Sequence, residues 1–279
     1  MASSLLSYET LVHALAGATG SVVGMAAFYP LDTLRSRQQV EDSNKLQGSV
    51  WELVLKLAKE EGFDSLYQGL CPVLQSLSVS NFVYFYTFHA LRRSSVGNSS
   101  ALKDLLFGVV AGSINVLITS PLWVVNMRMK FNKNLYNSLF EGLCDVFNNE
   151  GVKGLWSGTL PSLLLVSNPA IQFMVYESIK RNLVAIKRFD TYSAFLTGAI
   201  AKAIATTLTY PIQLVQSRLR VGKSLKPLYD EVTSNPLVLF RGLEAKIMQT
   251  VMTAALMFLI YEKIVRLVLT IMRVKISKK

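Results

Sequence analysis

The chain has 279 residues, 51% hydrophobic and 17% charged, with a mean hydropathy of +0.35 and a net charge of +11. A soluble domain carries about a quarter charged residues, so the composition points away from soluble enzymes and towards a membrane protein. Its basic residues lie between apolar spans rather than in one soluble domain, which excludes a nucleic-acid-binding module and fits membrane loops or an anionic substrate.

Cys71 and Cys144 stand in unlike contexts, and His13 and His89 are far apart, so neither a disulfide framework nor a metal site is expected. No Gly-rich phosphate loop or nucleophile elbow is present, which argues against an enzyme. The first residues, Met1 to Leu6, show neither a secretory signal nor an Arg-rich presequence, so any address is expected to be internal.

In chain order, the first predicted span covers 10–40. It is mostly apolar or small from Leu11 to Tyr29, then enters Pro30-Leu31-Asp32-Thr33-Leu34-Arg35-Ser36-Arg37. Pro30 predicts a kink, and Asp32 and Arg35 fall on one side of the continuing helix. Charges ending a membrane-length helix must pair or face water. The octet reads either as the end of a pore-lining helix or as an ordinary juxtamembrane charge cluster. An amphipathic helix follows over 51–60, then a turn, Leu66-Tyr67-Gln68-Gly69, and a span over 70–93.

The pattern then recurs. A span over 101–130 contains Pro121, and a turn at Leu155-Trp156-Ser157-Gly158 leads to a span over 159–181. A span over 192–221 contains Pro211, and Leu239-Phe240-Arg241-Gly242 leads to a span over 243–272. The prolines are spaced by 91 and 90 residues, and a glycine (Gly17, Gly108, Gly198) lies thirteen residues before each. Glu61-Gly62 and Glu150-Gly151 precede the first two turns; the third repeat lacks that pair and has a shorter connector. These landmarks define three repeats, 1–97, 98–188 and 189–279, each a two-helix hairpin long enough to cross about 30 Å of hydrocarbon. Small residues at Gly17, Gly20, Gly24, Gly108, Gly112, Gly198 and Ala201 predict close helix packing in lipid.

Lys202 sits in the small-residue run Ala199–Ala205, nine residues before Pro211 and about 13 Å along the helix from it. An ionisable residue within a span is a functional candidate, and phosphate groups are natural partners for lysines so placed. Lys246, four residues past Gly242, reads equally as a phosphate contact or an interfacial lysine. Tyr84, Tyr86, Asn81, Asn168 and Gln172 offer aromatic faces and amides on the even helices, contacts for a planar polar ring.

Three tandem repeats of this length, with Pro-x-Asp-x-x-Arg-x-Arg after the first odd span and Tyr176-Glu177-Ser178-Ile179-Lys180 ending an even one, resemble the mitochondrial carrier family. The resemblance covers nearly the whole chain. It implies an all-α membrane protein of six transmembrane helices forming a pseudo-threefold barrel, with one central site and alternating access between two gates. The stretches SNFVYFYTFHALR, SPLWVVNMRMK and GAIAKAIATTLTYPIQLVQS look like the family's peroxisomal branch. That likeness implies a monomeric multi-pass protein of the peroxisomal membrane, recognised by membrane-protein import factors. CoA, FAD, NAD and adenine nucleotides would be its transported substrates, with no cofactor held permanently. A mitochondrial inner-membrane carrier for another anion and a degenerate carrier serving as a scaffold remain alternatives.

In the family the odd-helix motifs close the inner gate. Asp32 and Arg35 are matched by Trp123 and Asn126 in the second repeat and by Gln213 and Gln216 in the third. No acid–base pair between these positions is complete, so Asp32 is expected to meet an amide, with Gln39 bracing a polar, weakly charged gate. The even helices supply the cytosolic gate: His89 and Arg92, Tyr176, Glu177 and Lys180, and Tyr261 and Glu262 with Val265 at the basic position. His89 reads as a packed residue or as a pH-sensitive gate. Counting back twelve or thirteen residues from His89, Glu177 and Glu262 reaches Ser76/Leu77, Leu164/Leu165 and Gln249/Thr250. The resemblance makes these the substrate-contact levels.

Overall fold

The computed structural model describes residues 19–40, 48–94, 101–131, 135–185 and 191–271. Every regular element among them is helical. The first column comprises α1, residues 19–27, and α2, Tyr29–Val40, separated by a turn at Phe28. The first connector carries α3 (Val50–Glu61) and α4 (Phe63–Leu66) and leads to α5 (Leu70–Ser94). The second repeat is α6 (Ala101–Phe131), the connector helix α7 (Leu139–Leu155), and α8 and α9 (Thr159–Leu165 and Asn168–Ala185). The third is α10 (Thr191–Arg220), α11 (Lys226–Ser234), a 3-10 turn at Pro236–Phe240, and α12 (Leu243–Ile271).

Predicted and observed helix bounds within the described residues agree to within two residues at most ends. The exception is the fourth span, expected as one helix and broken at Val166–Ser167. Pro169 explains the break, because it has no N–H for the Leu165 carbonyl and its ring crowds that group. Of the three proline sites, only the first column is interrupted, at Phe28; α6 and α10 run on through Pro121 and Pro211. In α6 the carbonyl that Pro121 cannot serve, that of Leu117, accepts the Trp156 indole N–H at 2.9 Å. The turn after the connector thus repairs the defect in the span before it.

Among the described residues one helix, Lys103–Phe131, is long and apolar enough to cross a membrane by composition alone. A second candidate is the pair Leu139–Leu155 and Thr159–Val184, bent by 52°. Six such helices were expected. The other columns carry Ser, Thr, Gln and Lys on the faces they turn inward, which lowers their apolar share.

Neighbouring columns pack in series, α2 to α12, α12 to α10, α10 to α8 and α9, α8 to α6, and α6 to α5, and α10 also meets α2 and α6. Close approach by small residues is confirmed where α1 meets α12: a Cβ on Gly20 or Gly24 would stand 3.0 Å from the Met257 carbonyl or 3.1 Å from that of Thr253. Gly198 departs from that expectation, with nothing within 4 Å of its Cβ direction.

The three connectors repeat one clamp. Arg37 donates to Glu61 at 2.7 Å, Arg128 bonds Glu150, and Arg218 approaches Glu231 at 3.8 Å. Glu231 lies within α11 rather than at a Glu-Gly step and also pairs with Arg241, so the shorter third connector supplies its acid from elsewhere. Hydrogen bonds from Arg128 hold the Glu150 carboxyl below the usual carboxylate range. Beside it, burial and the Asp145 carboxylate, which accepts the phenol at 2.8 Å, push Tyr136 up to about 12.

The turn glycines Gly69, Gly158 and Gly242 have φ of 79°, 78° and 79°, left-handed backbone that other residues resist. Each abuts the end of the next odd helix: Gly69 at Lys130, Gly158 at Arg220, and Gly242 at Arg35 and Gln38. Together they seal the odd-helix end of the barrel, its floor.

Candidate functional site: a cavity above an inner floor

Below their prolines α2, α6 and α10 converge. Lys130 bonds the Asp32 carboxylate, with side-chain exposures of 6% and 9%, and lies 4.8 Å from the centre of the Tyr29 ring. Arg35 reaches the other carboxylate oxygen at 3.6 Å. Asp32 therefore meets two cations, which overturns the expectation that it meets an amide. That expectation compared residues two and five past each proline. The arriving cation is nine past Pro121, one helical turn further on, at the register of Gln39.

The remaining floor residues find polar partners, most of them on another helix. Asn126 turns to α5 and donates to Ser76 Oγ at 2.6 Å. Both are buried, so Ser76 is not the cavity contact it was expected to be, and Asn126 makes no gate pair with a charge. Gln216 donates to Ser162 Oγ at 2.7 Å and Gln213 to Thr209 Oγ1 at 3.3 Å. Gln39 accepts from Ser217 Oγ at 2.7 Å, and its backbone carbonyl from Arg218 Nε at 2.9 Å, joining α2 to α10. Arg220, which sequence reasoning passed over, lies 5.9 Å from the centre of the Trp123 ring and donates to Ser162 Oγ at 3.2 Å.

Above the floor a cavity of about 550 Å³ collects six predicted contacts: Leu165, Asn168, Lys202, Lys246, Gln249 and Thr250. Gln213 and Gln216 line its lower part. Lys202 points inward and donates to Asn168 Oδ1 at 3.4 Å, while the Asn168 amide donates to Thr209 Oγ1 at 2.7 Å. Asn168 is available because it opens α9 just after the break, where the backbone is not part of a continuous helix. Lys246 Nζ donates to Gln249 Oε1 at 3.3 Å. Two amides thus hold two ammonium groups, and none of the described carboxylates is bonded to either, an arrangement ready for an anion.

A second compartment of about 570 Å³ shares Leu165 and Gln216 with the first. Its wall includes Tyr84, Phe88, Val109, Val116 and Trp123, and Arg220 lies at its base.

Other predicted positions fall elsewhere. Asn81 and His89 line a groove along α5 with Phe82, Phe85, Tyr86 and Arg93, apart from the cavity. Ser76, Ser80, Tyr84 and Phe88 recur every four residues on the opposite, α6-facing side, which is why counting along α5 missed the division. His89 is exposed and edge-on to Phe88. Leu164 is exposed and Gln172 half-buried, and neither is among the cavity-lining residues.

At the mouth, Glu177 accepts from Lys180 of its own helix at 3.3 Å, and Lys180 lies 5.7 Å from the Tyr176 ring centre. Arg92 pairs with Asp104 of α6 at 3.5 Å rather than with a glutamate of another even helix. The side chains of Tyr261 and Glu262 lie outside the described residues.

Long helices arranged about a cation-bearing cavity, closed at one end, fit the architecture of a solute carrier. The mitochondrial carrier protein family matches over residues 7–99, 97–187 and 187–271. The chain belongs to that family. It is 47% identical to the peroxisomal membrane protein PMP34 of Mus musculus, with 99% of each chain covered. It is 30% identical to the peroxisomal nicotinamide adenine dinucleotide carrier of Arabidopsis thaliana, over 92% of this chain and 96% of that one. It is also 30% identical to the peroxisomal adenine nucleotide carrier 1 of the same plant, over 92% and 90%. These relatives place the chain in the peroxisomal membrane.

Proposed function

We propose that the chain exchanges adenine-containing anions, namely CoA, FAD, NAD and adenine nucleotides, across the peroxisomal membrane by alternating access. The observation that carries this reading is the pair of inward ammonium groups, Lys202 and Lys246, held by the amides of Asn168 and Gln249. A substrate phosphate or diphosphate takes the place of those amides as acceptor, since a charged acceptor binds an ammonium more strongly than a neutral one. Tyr84, Leu165 and Thr250 offer the apolar and hydroxyl contacts for the rest of the molecule. The closed floor and the local charge pairs of the even-helix ends correspond to the substrate-accepting side of the cycle. The relatives named for dinucleotide and nucleotide transport support the substrate class.

The test is counter-exchange in proteoliposomes against CoA, FAD, NAD, AMP, ADP and ATP. Lys202→Ala is expected to abolish exchange of every accepted member while leaving thermal stability near wild type. Undiminished exchange would discard the assignment.

A further inference from the structure

Two of the three junctions between odd helices share one register. They set the residue two past one proline against the residue nine past the next, Asp32 with Lys130 and Trp123 with Arg220; by number the third would set Gln213 against Gln39. The first junction is an ion pair. At the third, Gln39 meets Ser217 instead, and the helices are joined by Gln39, its carbonyl and Arg218. The second is a guanidinium over an indole face at 5.9 Å.

We propose that Trp123 and Arg220 form a second latch of the floor, one that the anionic substrate itself releases by drawing Arg220 off the indole. Three observations converge on it. None of the described carboxylates pairs with Arg220, whose Nε is buried without a hydrogen-bond partner. Arg220 and Trp123 both line the compartment that shares Leu165 and Gln216 with the lysine-bearing cavity, so an anion bound there has a path to the guanidinium. Finally, a cation–π contact yields to an anion in a way that an ion pair does not: charge-assisted, bidentate hydrogen bonds to a phosphate outcompete the ring face. At the Asp32 junction Lys130 already has its carboxylate, and a substrate gains little by approaching it. The floor is thus locked at one junction irrespective of load and at another only when empty. This couples occupancy to opening and suppresses empty cycling.

The inference rests on the cavity being an anion site, and the experiment separates the two. In proteoliposomes, counter-exchange of AMP is measured beside efflux of the same substrate into substrate-free buffer. Trp123→Asp places a carboxylate against Arg220 that substrate cannot displace, and is expected to lower exchange about tenfold. Trp123→Leu removes the latch and is expected to raise efflux relative to exchange about tenfold, whereas Trp123→Phe, which keeps a ring face, stays within about twofold of wild type in both. A merely structural role for the tryptophan would not raise efflux relative to exchange in Trp123→Leu while Trp123→Phe stays near wild type. Wild-type exchange in Trp123→Asp together with a wild-type ratio in Trp123→Leu would overturn the latch, while a wild-type protein that moves none of the panel would overturn the functional reading instead. Melting of the empty protein gives a substrate-independent check. The midpoint is expected to rise with Trp123→Asp and fall with Trp123→Leu; no change in either would also overturn the latch.

Discussion

The floor and the mouth of this barrel draw on the same kinds of charged residue and use them in opposite ways. At the floor the cations cross between helices: Lys130 reaches Asp32 of another repeat, and both are almost fully removed from solvent. At the mouth, the charge pairs seen among the described residues are Glu177 with Lys180 three residues on and Arg92 with Asp104, at side-chain exposures from 28% to 49%. A charge pair in a dry seam has no alternative partner and fixes two helices together. A pair in water is screened and exchangeable. The molecule is therefore held shut where its pairs are buried, and the exposed pairs are free to be rearranged when the other end must close.

The sharpest way to break this contrast is Asp32→Asn, which strands the Lys130 ammonium in the seam. Leaving one member of a buried pair uncompensated costs about 3–5 kcal/mol, and thermal unfolding in detergent is expected to show a correspondingly large fall in midpoint. Lys130→Met added to Asp32→Asn is expected to recover part of the loss, because it removes the stranded charge. The connector clamp is intermediate. Its stabilisation from Glu150, whose carboxyl is depressed by Arg128, is present above the ordinary carboxylate range and disappears as the pH falls through the depressed value. With the Glu150 side chain 43% exposed, the effect is about 1 kcal/mol at most. Melting followed from neutral to acid pH should bring wild type and Glu150→Gln together at the acid end. The smallest effect belongs to the mouth, where Arg92→Ala is expected to change stability by less than about 1 kcal/mol. A drop as large as that of Asp32→Asn would erase the distinction between the two ends.

The repeats and nearly all helix ends were legible because prolines and turn glycines act locally and are spaced like a ruler. Lys202 was legible too, because a lone ammonium amid small residues in a membrane-length helix is costly unless it faces a polar interior. Which cation reaches Asp32 was not. That depends on how far one helix is displaced along its neighbour, and a displacement of one turn replaces Asn126 with Lys130. The fate of Ser76 was hidden for a related reason: a count along α5 gives height but not the face that packs on α6. Glu231 was missed because the third connector keeps the location of its acid and not the Glu-Gly spelling of the other two. Arg220 carried a signal, nine residues past Pro211 like Lys130 past Pro121, that emerges only when the three repeats are aligned a full turn beyond the Asp32 and Arg35 positions.

The hydrogen bond from the Trp156 indole to the Leu117 carbonyl has an optical consequence. It fastens a fluorophore at the foot of the second hairpin to the mid-section of α6, so any swing of that helix strains or breaks the bond and alters the polarity around the ring. With only three tryptophans in the chain, and Trp51 and Trp123 replaceable by phenylalanine, the protein carries its own emission dye for following its shape changes in real time.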